Sequence, residues 1–192
     1  MDSLFRVAGK APKVHIGNVT KNVEEIKRYY EEQAEKVDLV VTPELSLTGY
    51  TCGDLFHNRQ LLDKTREGLK ELTKLTAAFG KEGAGLMVGL PLEVNGELFN
   101  CGAFLHNGRI LGIVPKTYIP GHGEFCESRW FASGSDLIHG PEILYAGFSC
   151  IISPNQIFEI GNASFAVEIG EDLNNPIPPS AYHTLAGAQI IA

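Results

Sequence analysis

The chain has 192 residues, 44% hydrophobic and 20% charged, which suits one globular unit with a real core. Sixteen Lys and Arg against 23 Asp and Glu leave a net charge of −7, so no basic stripe is available to neutralise phosphates and a nucleic-acid partner is disfavoured. No long uncharged apolar run suggests a membrane span, and Met1-Asp-Ser-Leu-Phe-Arg6 lacks the basic-then-apolar order of a secretory signal.

Residues 6–10 predict a short first strand. Val19, Val23, Ile26, Tyr30, Ala34 and Val37 then recur at helical spacing, with Asn18 as the N-cap and Glu24 and Glu25 early in the helix. Residues 38–42 read as a short buried strand, and Pro43-Glu44 opens a loop. Leu61, Leu62, Leu69, Leu72, Leu75 and Phe79 mark a second amphipathic helix. Residues 86–90 form another buried strand. Two hairpins follow: residues 98–106 and 109–114 flank Asn107-Gly108, and residues 157–160 and 163–169 flank Gly161-Asn162. The long segment between them, 116–141, is rich in Gly, His, Glu and aromatics, as functional loops are. Pro178-Pro179 opens a short helix to about Ala186, and residues 189–192 begin an apolar strand. The order predicts an α/β sandwich with helices on one or both sheet faces. It also predicts one domain over residues 1–192, truncated at its C-terminus within a buried strand.

Cys52, Cys101, Cys126 and Cys150 form no Cys-x-x-Cys pair, and the six histidines show no metal-ligand spacing. All four are expected as buried, reduced thiols in a cytoplasmic protein.

Three strand ends carry candidate chemistry. Glu44 follows a strand in partly apolar surroundings, where a carboxylate can serve as general base. Lys116 ends a hairpin strand and could stabilise an oxyanion. Gly170 lies at a strand-to-loop junction, the kind of sharp turn that presents a nucleophile. Taken singly, each is better read as an ordinary loop or turn residue. Together, in order and each at a strand's C-terminal end, they are more specific, since ligands in α/β folds gather at such ends.

Four stretches carry a resemblance: Val40-Val-Thr-Pro-Glu-Leu-Ser-Leu-Thr-Gly-Tyr-Thr-Cys-Gly-Asp-Leu-Phe56, Pro115-Lys-Thr-Tyr-Ile-Pro120, Glu124-Phe-Cys-Glu-Ser-Arg-Trp-Phe131 and Val167-Glu-Ile-Gly-Glu-Asp-Leu173. The chain resembles the nitrilase, or carbon–nitrogen hydrolase, superfamily, and within it the glutaminase domain of glutamine-dependent NAD⁺ synthetases. The resemblance spans essentially the whole chain, and the tail from Pro178 to Ala188 fits too. It implies a nitrilase-like αββα sandwich. It implies Glu44 as general base, Lys116 as stabiliser of the tetrahedral intermediate, and the nucleophilic Cys at the position of Gly170. Glu127 matches a second glutamate beside the Lys. Glu171 and His122 fall where members contact glutamine, though an aromatic is commoner than His at the latter.

The resemblance further implies L-glutamine as substrate and a synthetase domain as partner, using ATP and deamido-NAD⁺. No cofactor is expected in this domain. Homo-oligomers are expected from the family's back-to-back pairing. Gly170 has no side chain, so no thioester can form there, and the expectation is an inactive glutaminase. A non-catalytic binding or scaffold module and a divergent amidase are the alternatives.

Overall fold

The computed structural model describes residues 4–123 and 125–192. The reading of Met1 to Ser3 and the first residue of the Glu124 stretch lie outside the described residues. The element order is β1 (Val7–Gly9), α1 (Val19–Gln33), β2 (Leu39–Val41), α2 (Arg59–Phe79), β3 (Gly85–Val94), β4 (Glu97–His106), β5 (Arg109–Pro115), β6 (Glu142–Tyr145), β7 (Phe148–Ile151), β8 (Phe158–Ile160), β9 (Ala163–Ala166), α3 (Pro179–Leu185) and β10 (Ile190–Ile191).

A five-stranded sheet runs β1-β2-β3-β4-β5. Its first two pairings are parallel, with helices as crossovers, and its last two are antiparallel hairpins. A three-stranded sheet, β10-β9-β8, packs on one face, and β6 and β7 form a separate ribbon.

The two faces of the large sheet are told apart by the period of two along its strands. Val40, Leu86, Val88, Leu90, Cys101, Ala103 and Ile113 share a core with Val23, Ile26 and Tyr30 of α1 and Leu69 and Leu72 of α2. Leu39, Met87, Phe104 and Val114 face the other way, against Phe158, Phe165, Val167 and Ile169 of the small sheet and its extension. The helices therefore cover one face and a second sheet the other, a mixed α/β nitrilase-type sandwich.

Helix α1 starts where expected, with the Asn18 side chain accepting the Lys21 N–H. It stops at Gln33, short of Val37. The Gln33 carbonyl accepts the N–H groups of Lys36 and Val37, and the Asp38 N–H already donates to Arg6 O. Strand pairing thus ends the helical stripe.

Two hairpins escape the sequence reading. β3 extends to Val94 and turns into β4 through Asn95 and Gly96, both at positive φ, as are Asn107 and Gly108 in the hairpin that was expected. Pro91 and Glu93 interrupt the apolar run and hide the longer strand. β6 and β7 turn at Ala146-Gly147. Cys52, Cys101 and Cys150 are buried free thiols, but Cys126 is exposed, since it sits on a surface loop between exposed Phe125 and the short turn at Glu127.

Candidate active site

Glu44 lies in the turn that leaves β2 and crosses the end of the sheet over β3. Gly89 makes the crossing possible: a Cβ there would sit 2.4 Å from the Leu45 backbone nitrogen and 2.5 Å from the Pro43 carbonyl. The turn is pinned to β3 by the Leu47 N–H to Gly89 O and by the Thr42 hydroxyl to Met87 O. Leu45, fully buried, holds φ at +51°, an uncommon conformation for a bulky residue. Backbone strain therefore sits beside the carboxylate.

Lys116 follows β5, and its backbone N–H donates to Asn100 O, which continues the ladder with β4. Its side chain is 1% exposed. The ammonium donates to Glu44 Oε1 at 2.8 Å and to Glu127 Oε1 at 2.7 Å. Glu127 opens a short turn on the long loop, and its side chain is 3% exposed. Two carboxylates thus flank one buried cation, the arrangement in which a buried charge is tolerated.

Two residues that the sequence reading did not single out complete the cluster. Asn100, fully buried on β4, donates through Nδ2 to Glu44 Oε1 at 2.6 Å and to Glu127 Oε2 at 3.3 Å. Among the described residues its Oδ1 is buried without a partner, which costs about 1–3 kcal/mol. Tyr50 donates its hydroxyl to Glu127 Oε1 at 2.7 Å. Burial first, then the Glu127 carboxylate, holds its phenol well above the ordinary range. Asn100 carried a signal, a lone amide in the apolar run of β4. Tyr50 stood in a quoted motif but showed no spacing that tied it to Glu127.

Gly170 begins a turn after the run Val167–Ile169 at φ +51°. A Cβ on it would lie 2.7 Å from Glu44 Oε2 and 3.1 Å from Lys116 Nζ. The three segments therefore converge on one point, although β9 ends at Ala166 and not at Ile169 as the sequence suggested, so Gly170 follows an extended run beyond the strand. Asp172, two residues on, ties the Lys116 loop to this turn. Its Oδ1 accepts the N–H groups of Thr117 and Tyr118, and its Oδ2 accepts that of Ile169. Burial outweighs these donors and lifts its carboxyl to about 6.

At the rim, His122 Nε2 stands 3.8 Å from Glu171 Oε1, with the His side chain 76% exposed. A cavity of about 90 Å³ adjoins the cluster, lined by Thr42, Glu44, Met87, Glu168 and Gly170 among others. A larger cleft of about 550 Å³ lies at the starts of α1 and α2 and includes no member of the cluster. Chemistry rather than size marks the site, because the buried charges gather only at the former. Among the described residues, no grouping of three His, Cys, Asp or Glu is placed to hold a metal ion, and no helix is long and apolar enough to cross a membrane.

The chain is similar to glutamine-dependent NAD(+) synthetases. It is 31% identical over 191 residues to that of Mycobacterium leprae, covering 97% of this chain and 27% of that protein. It is 32% identical over 177 residues to that of Thermotoga maritima, covering 92% of this chain and 26% of that one. The solved glutamine-dependent NAD(+) synthetase of Cytophaga hutchinsonii superposes with a TM-score of 0.82 at 26% identity, over 98% of this chain and 30% of that structure. An amidase from Nesterenkonia sp. AN1 shares the fold, with a TM-score of 0.73 at 17% identity over 98% of this chain and 65% of that one. The chain spans about a quarter of the length of the curated relatives it matches. The carbon-nitrogen hydrolase family matches residues 11–151, and the chain belongs to that family.

Proposed function

We propose that this chain is the glutaminase part of a glutamine-dependent NAD⁺ synthetase and that it does not itself hydrolyse glutamine. The observation that carries the reading is the convergence of Glu44 and Lys116 on Gly170, whose missing Cβ would touch both side chains. In the reaction this supports, Glu44 takes the proton from a thiol at position 170. The thiolate attacks the carboxamide carbon of L-glutamine while Lys116 stabilises the oxyanion. Ammonia leaves, and water then cleaves the thioester to give glutamate. Glu127 holds Lys116, and Glu171 and His122 contact the substrate. With glycine at position 170 no thioester can form, and loss of a nucleophile costs on the order of a millionfold in turnover.

The ammonia would pass to a synthetase domain that uses ATP to amidate deamido-NAD⁺. The related synthetase of Acinetobacter baumannii has been solved in complex with ADP. No cofactor is assigned to this domain. The reading includes homo-oligomers and a cytoplasmic location.

Gly170 also favours a second reading, a non-catalytic module that keeps the fold and partner contacts. Glutamine-dependent ammonia release, measured on the chain and on its Gly170→Cys form, separates the two. Release by the Cys form alone supports the glutaminase origin. Release by neither supports the module. Release by the unaltered chain overturns its proposed inactivity.

A further inference from the structure

We propose that Asn100 is a positioning residue that aims Glu44 at position 170. The proposal rests on the reading above in taking position 170 as the point of attack.

A general base needs one lone pair turned toward the proton it takes and the rest of the carboxylate held still. Glu44 is held in that way. Its Oε1 accepts from both Lys116 Nζ and Asn100 Nδ2, at 2.8 and 2.6 Å. Its Oε2 is the atom 2.7 Å from the place of a Cβ on Gly170. Two donors on one oxygen fix the rotation of the carboxylate, whereas the lysine alone would leave it free to turn about a single ion pair.

The amide is suited to the task. Its NH₂ has two protons, one for Glu44 and one for Glu127 Oε2, so it also bridges two like charges that would otherwise repel across Lys116. The amide cannot turn over, because that would set Oδ1 against both carboxylates. The cost appears on its other side, where Oδ1 stays buried with no partner among the described residues. A residue serving only the core would be better replaced there by an apolar one of similar volume. Asn100 shares its face of β4 with Gly102 and Phe104, at the end of the inter-sheet core, and there its side chain's hydrogen-bond partners are the carboxylates of Glu44 and Glu127.

The test uses a thiol as reporter. In the Gly170→Cys form, with Cys126→Ser to remove the exposed thiol, the rate of alkylation by iodoacetamide at position 170 is followed against pH, and Glu44→Gln is added to show how much of the profile Glu44 controls. Asn100→Leu, close in volume and without a donor, is expected to move the profile in the same direction as Glu44→Gln. Asn100→Ser, with one proton to give, is expected to move it less, and it decides the matter if the Leu variant does not fold. Where the Cys form releases ammonia, Asn100→Leu should lower kcat on the order of a hundredfold with KM for glutamine nearly unchanged. A simple loss of stability would not displace the pH profile in step with Glu44→Gln.

The proposal is overturned if the Asn100 variants leave the profile in place while Glu44→Gln moves it, or if Glu44→Gln moves nothing. Ammonia release that ignores Asn100 overturns it and leaves the glutaminase reading standing. A profile that answers to both residues in a Cys form releasing no ammonia does the reverse.

Discussion

At the scale of single residues, Gly170 and Asp172 carry opposite lessons. Gly170 is held at φ +51° with a carboxylate oxygen in the space of a side chain. Gly170→Ala should therefore lower stability by about 1–2 kcal/mol through the left-handed backbone alone, as a shifted urea midpoint with unchanged slope. The Glu44 contact adds to this, because its carboxylate is held by Lys116 and Asn100 and has to give way at 2.7 Å. Asp172 is 2% exposed, and its carboxyl is raised from 3.8 to about 6 by burial. The sign follows from linkage: protonation of Asp172 favours the folded state. That contribution is complete below about pH 4, is lost as pH rises through 6, and is flat above. Its size is about 3 kcal/mol, with the three backbone donors already counted in that net shift. Asp172→Asn should flatten this part of the stability-versus-pH curve between about pH 4 and 6, seen as the difference between the two proteins in urea melts across that window.

At the scale of elements, the motif at residues 49–56 acquires a physical meaning that its sequence did not show. Residues 50–57 fold as two short helical turns joined across a kink at Gly53, and they lie against the turn at Glu127–Arg129. Tyr50 reaches Glu127, Asp54 accepts from the Arg129 guanidinium and the Trp130 indole, and Phe56 packs on Phe131 with ring centroids 4.9 Å apart. The exposed Asp54 contacts fix direction, while Phe56, 1% exposed, supplies the packing. Phe56→Ala should cost about 3–5 kcal/mol, and the urea midpoint checks it. The contrast with the helices explains what was legible. The start of α1 and the Asn107-Gly108 hairpin show in the sequence because a cap and a turn are local, whereas the turn at Asn95-Gly96 is hidden by Pro91 and Glu93 in the strand before it. The partners Tyr50 and Glu127 are 77 positions apart, and only the docking of two irregular turns joins them. Glu44, Lys116 and Gly170 were readable as strand ends in order. Asn100 was not, because a strand pattern does not say which of its two faces a lone amide serves.

At the scale of the whole molecule, one sheet separates two cores, and the charge cluster sits at the end of the core between the sheets. Phe104, Phe158 and Phe165 meet there with centroids 4.9 to 5.4 Å apart. From Phe165 the chain runs through Val167 and Ile169, both in the same core, directly into Gly170. The position of the turn therefore depends on the seating of the small sheet. Leu72, on α2, lies in the other core and has no such connection. Phe165→Ala and Leu72→Ala should each cost several kcal/mol, about 3–5 and 2–5 respectively, but their local effects should differ. The amides of Thr117, Tyr118 and Ile169 all donate to Asp172, so their hydrogen exchange reports how firmly the Lys116 loop and the Gly170 turn stay joined. Phe165→Ala should speed exchange at these three beyond the fall in global stability. Leu72→Ala should change them only as far as global unfolding does. Equal behaviour in the two variants would mean that the site is held by its own hydrogen bonds and that the inter-sheet core does not set its geometry.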